Sequence, residues 1–234
     1  MLDKKEENGM IDIKAYMREL VGTLKTIFEK RLLYVGLQGS YLRAEATEKS
    51  DIDVMVVIDE MKPNDLKEYK KVLKEIGNYD KSCGFICGAK ELLNWNPLEI
   101  CHLLNTTADY YGVLEDFVPK YNRRDVADYI KLCTVNLYHM LCHRYVHDDI
   151  EKNKIKLPLI HKDLFYILQN VYYLEKGEFI QNKSKMESIL CGSDRKIWML
   201  LNKITNEKEY EFDSAFEIVY NWCCEILERA NRYE

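Results

Sequence analysis

Apolar side chains recur at Ile13, Met17, Leu20, Leu24, Ile27 and Phe28. This three-to-four spacing predicts an amphipathic helix within residues 10–30 that covers one face of a core. Two runs then break the period: Leu32 to Leu37 and Ile52 to Ile58 are short, apolar and rich in β-branched residues, and they read as buried strands. Pro63-Asn64 opens a charged helix, Asp65 to Ile76, and Gly77-Asn78 closes it; its lysines and glutamates mark a solvated face. Cys83 to Cys87 reads as a third strand and Leu98 to Leu104 as a fourth, with Trp95-Asn96-Pro97 as the break between them. From about residue 120 the spacing becomes helical: Ile130, Cys133, Leu137 and Leu141; Leu164, Leu168, Val171 and Tyr172; Phe212, Phe216, Val219, Cys223, Ile226 and Ala230. The pattern therefore predicts an α/β (α+β) domain with a mixed sheet over residues 1–118. An all-α helical bundle over residues 119–234 follows, with the boundary at Phe117-Val118-Pro119.

Candidate chemistry sits between the first two strands. Gly39-Ser40 follows the first strand, and Asp51-Ile52-Asp53 begins the second. Residues two apart on a strand share a face, so both carboxylates can converge on one point. Two carboxylates suit Mg2+, which completes its shell with water and substrate phosphates. A glycine lets the backbone approach a ligand, and Ser40 can open a helix whose amides attract phosphate. Either half alone is a common turn feature; their combination at this spacing, with a strand on each side, points to a triphosphate handled through magnesium.

Composition narrows the partners. The chain has 234 residues, 47% of them hydrophobic, enough for a packed core. With 34 basic against 39 acidic residues, no global field favours nucleic acid, and a small substrate fits better. No apolar run reaches the ~20 residues of a membrane span, and Met1 to Gly9 lacks a signal-peptide core. A cytoplasmic protein, monomer or homodimer, with reduced cysteines is expected. Cys83, Cys87, Cys101 and His102 invite a zinc reading, but their spacing fits no usual knuckle, and small core side chains are the expected role.

The Gly39-Ser40 and Asp51-Ile-Asp53 motif resembles that of the DNA polymerase β-like nucleotidyltransferase superfamily. Leu32 to Ser40, Ser50 to Val54, Phe85 to His102 and Tyr172 to Lys183 look like the aminoglycoside adenylyltransferases acting on streptomycin and spectinomycin. The resemblance implies that Asp51 and Asp53 bind Mg2+, that Gly39 and Ser40 hold the triphosphate of ATP, and that a third acid completes the site. Glu99, among hydrophobes on the expected fourth strand, is the candidate for that acid, both as metal neighbour and as general base for an acceptor hydroxyl. Asp80, after a Gly-Asn-Tyr turn, is the weaker choice. The resemblance also implies a phosphate-contacting lysine in the helical domain, Lys183 or Lys185. Arg43, expected at a helix start near the phosphate turn, is the weaker candidate for phosphate contact. Asp109, Glu115 and Asp116 would attract amino groups from a cleft rim or simply cap helices. The reaction implied is transfer of AMP to a hydroxyl of a small, antibiotic-like molecule bound between the two domains. Two rivals stay open: adenylylation of a protein, as in toxin-antitoxin pairs, and a nucleotide-binding module without turnover.

Overall fold

The computed structural model describes residues 11–207 and 209–233; the Met1 to Gly9 reading lies outside them. The chain divides into two compact units, residues 1–120 and 121–234.

In the first unit, α1 (Ile13–Phe28) starts at Asp12, whose side chain accepts the Ala15 N–H at 3.0 Å. Then follow β1 (Leu32–Leu37), the single turn α2 (Gly39–Leu42), β2 (Ile52–Ile58), α3 (Pro63–Glu75), β3 (Ser82–Gly88), α4 (Ala89–Leu93), α5 (Pro97–Asn105) and β4 (Ala108–Tyr111). The strand order is β3-β2-β1-β4, with β1 antiparallel to β2 and β4, and β2 parallel to β3. The sheet is therefore mixed, as expected for the N-terminal domain. Met17, Leu20 and Leu24 of α1 pack with Val35, Leu37, Ile52, Val54, Val56 and Val72 in one cluster. Met55 and Val57 are also fully buried, so β2 is covered on both faces, which explains its unbroken apolar sequence.

The expected fourth strand is corrected: residues 97–105 form α5, and β4 lies at Ala108–Tyr111. Asn96 accepts the Leu98 N–H at 3.1 Å and Pro97 occupies the first helical position, an N-terminal signature that overrides the apolar run after it.

Arg31, just ahead of β1, anchors the start of α3. Its guanidinium donates to both Asp65 oxygens at 3.0 and 2.9 Å, and Asp65 also accepts the Lys62 N–H at 2.8 Å. The Arg31 hydrogen bond holds the buried Asp65 carboxyl below its usual range. A depressed folded-state value stabilises the fold above pH ~4, and that share is lost as pH falls through the lowered value. Arg31→Met should lower unfolding stability by about 1–2 kcal/mol at pH 7, a figure discounted for the partly exposed guanidinium. Urea unfolding should show the difference shrinking as pH drops below ~4.

The second unit is helical: α6 (Arg123–His147), α7 (Ile150–Lys156), α8 (His161–Lys176), α9 (Lys183–Ile189), α10 (Gly192–Asn206) and α11 (Phe212–Ala230). Ile130, Leu137 and Leu141 of α6, Leu164 and Leu168 of α8, and Val219, Cys223 and Ile226 of α11 are buried, as their spacing required. Arg229 ties three helices together, donating to Asp194 at 2.9 and 3.0 Å and to Glu175 at 2.7 Å. Among the described residues, no helix is long and apolar enough to cross a membrane.

Candidate active site

The pairing of β1 and β2 runs one step past β1, where the Gln38 N–H donates to the Asp53 carbonyl at 2.8 Å. The chain then turns through Gly39 at φ +70°, where a Cβ would sit 1.9 Å from Asp53 Oδ2. Glycine is therefore required twice, for the left-handed backbone and for contact with the carboxylate. Ile52, Val54 and Val56 face the α1 side, so Asp53 points to the opposite face. Asp51, immediately before β2, is exposed. The structure thus brings Asp53 and the Gly39-Ser40 turn together, with the Asp53 carboxylate lying on the turn's backbone.

This cradle fits a hard divalent ion: oxygen donors two residues apart beside a turn with no side chain in the way. Among the described residues, no group of three or more His, Cys, Asp and Glu is placed to hold one metal ion. The Asp51, Asp53 and Glu99 set expected to share a metal is therefore not assembled. Gly39→Ala should reduce transfer about 10²-fold through displacement of the Asp53 carboxylate. Steady-state pyrophosphate release, with a melting curve to confirm folding, checks this.

Glu99 occupies the first turn of α5, is exposed, and accepts the Trp95 Nε1–H at 2.6 Å. Trp95 in turn stacks on Phe85, with ring centroids 6.0 Å apart. The strand placement that recommended Glu99 is thus wrong. The four strands carry two carboxylates, Asp53 and Asp109. Asp109 pairs with Gly36, and Gly36 pairs with Met55, two residues along from Asp53, so all share one face of the sheet. The buried Tyr34 hydroxyl donates to Asp109 Oδ1 at 2.7 Å. A Cβ at position 36 would lie 2.1 Å from that hydroxyl, so Gly36 makes room for the bond. Burial first, then the bond to Asp109, raises the Tyr34 pKa and keeps it a donor. A usable signal was present in sequence: Tyr110-Tyr111-Gly112 combines β-forming aromatics with a turn residue.

Cys83 is not the core residue its neighbours suggested. It is exposed and directly opposite Asp53 in the parallel β2–β3 register. Its thiol pKa is raised, first by partial desolvation and then by the Asp53 hydrogen bond and the charges of Asp53 and Asp51. Cys87 and Cys101 are buried, as expected. His102, whose pKa burial and then Arg43 push down to about 4, is neutral at pH 7.

Arg43 lies at the end of α2, not at a helix start, and its Nε donates to Glu45 at 2.9 Å. It braces the turn through that ion pair. Lys183 begins α9, with Nζ 5.5 Å from the centre of the Phe165 ring, whereas Lys185 is exposed. Glu115 and Asp116 fall in a 3-10 turn, Leu114–Phe117.

The Nucleotidyltransferase domain family model matches residues 17–86, from α1 through most of β3. A Methanocaldococcus jannaschii protein named "Putative protein adenylyltransferase" is 35% identical over 69 residues, covering 30% of this chain and 68% of that protein. The chain belongs to the nucleotidyltransferase family, and the Asp51/Asp53 pair lies inside the matched segment. The crystal structure of a spectinomycin adenyltransferase from Enterococcus faecialis, with ATP and spectinomycin, has the same fold. It aligns at a TM-score of 0.56 and 15% identity, covering 92% of this chain and 99% of its own. A toxin-antitoxin structure with AMP-PNP overlays at a TM-score of 0.32 over 56% of this chain, too loosely to bear on fold or function.

Proposed function

We propose that this nucleotidyltransferase moves AMP from ATP to a hydroxyl of a small molecule, an aminoglycoside-like antibiotic being the favoured acceptor, and releases pyrophosphate. The carrying observation is the Asp53 carboxylate against the Gly39-Ser40 turn, which sets metal-binding oxygens beside a backbone open to phosphate. Asp51 and Asp53 would hold Mg2+, which, when bound, neutralises charge on the reacting phosphate and the departing pyrophosphate. The Ser40 hydroxyl and the turn orient the β- and γ-phosphates. Asp109, positioned by Tyr34, takes the proton of the acceptor hydroxyl, the role first read onto Glu99.

One observation supports a small acceptor: the spectinomycin adenyltransferase structure, which holds ATP and spectinomycin, shares the fold over 92% of this chain. The M. jannaschii relative's name favours a second reading, transfer to a protein.

One experiment separates the readings: ATP labelled on its α-phosphate, Mg2+ and the full chain, incubated with spectinomycin or streptomycin and, separately, with cell lysate. Label on the small molecule supports the proposal, and label on a protein band supports the second reading. ATP binding with no transfer in either arm leaves a binding module and overturns both.

A further inference from the structure

Three of the chain's five histidines, His139, His143 and His147, lie one helical turn apart on α6, and all three are exposed. The His139 and His143 ring centres are 6.2 Å apart, and those of His143 and His147 are 4.6 Å apart. Two imidazoles bound to one ion through Zn–N bonds of about 2.0–2.1 Å place their ring centres roughly 4.5–5.3 Å apart at N–metal–N angles of about 90–110°. His143 and His147 stand in that range, and the exposed His139 ring reaches it by rotation about its own side-chain bonds; paired histidines at i, i+4 on a helix are a working chelate elsewhere. We infer that the His139-His143-His147 face of α6 binds one borderline divalent transition-metal ion of the zinc, nickel or copper(II) class.

Imidazole favours these ions, whereas Mg2+ and Ca2+ take oxygen ligands, so this face and the Asp51/Asp53 pair select different metals. Among the described residues, no third ligand joins either pair. The ion therefore keeps water in its remaining positions and exchanges freely, unlike a closed structural site. His143 belongs to both chelates, so the two pairs share one ion. The three side chains consequently carry unequal weight. Losing His139 or His147 leaves one chelate of two, whereas losing His143 leaves none.

The test is calorimetric titration of the full chain with Ni2+ or Zn2+ in excess Mg2+, which occupies oxygen sites, on a Cys83→Ser/Cys191→Ser background that removes the two exposed thiols. One ion per chain is expected. His139→Gln and His147→Gln should each weaken binding about twofold, and His143→Gln about tenfold or more. On the unsubstituted chain, paramagnetic Ni2+ should broaden the ring resonances of these three histidines and spare His102 and His161. No binding by the parent, His143→Gln binding as the parent does, or broadening confined to His102 or His161 would overturn the inference.

Discussion

Asp53→Asn is expected to cut nucleotidyl transfer by on the order of 10³-fold, about 4 kcal/mol of transition-state stabilisation, while leaving the fold intact. Asp53 is half-buried at the edge of β2, and its neighbours Ile52 and Val54 supply the packing. Its carboxylate oxygen lies against the Gly39 turn, so the amide removes the charge that the proposed reaction needs for Mg2+ with almost no change in shape. It also relieves repulsion between two carboxylates two residues apart, so the melting temperature should hold steady or rise slightly. Pyrophosphate release and thermal melts on the same preparation check both halves. Transfer at the parental rate would remove the carboxylate pair from the mechanism.

Asp109→Asn and Glu99→Gln should diverge widely. The first removes the carboxylate that Tyr34 positions on the Asp53 face of the sheet, and kcat should fall by about 10²–10⁴-fold, the usual contribution of a positioned base. KM for ATP should change little, because in the proposed reaction Asp109 addresses the acceptor and not the triphosphate. The second removes an exposed helical side chain whose partner is Trp95, and kcat should stay within about threefold, as for most surface changes. Single-turnover rates at several pH values decide between them. A large loss in Glu99→Gln with little in Asp109→Asn would return the base to Glu99.

The site was legible unevenly for a physical reason. The bounds of β1 and β2 and the Gly39-Ser40 and Asp51/Asp53 motif were readable because each depends on neighbours within a few residues: strand alternation, β-branched packing and a glycine turn. Leu98 to Leu104 was not readable in the same way, since a short apolar run suits a buried strand and a buried helix equally. Its deciding signal was Asn96-Pro97 at the front, a cap and first-position pair that makes the segment helical. Moving the fourth strand from residues 98–104 to Ala108–Tyr111 took Glu99 out of the sheet and brought Asp109 in.

By itself, the order of residues specified a two-part chain, an α/β sheet followed by helices, and a triphosphate-handling motif in the first part. Which acids share a sheet face with that motif was decided by the sheet, through contacts between positions far apart in the chain. Tyr34 and Asp109 are 75 residues apart, and Asp53 meets Cys83 through a parallel register across a helical crossover. The face a strand residue occupies follows from its register, and a one-residue slip reverses it. That register is set cooperatively by the whole sheet, so local pattern supplied the parts of the site and tertiary pairing chose their partners.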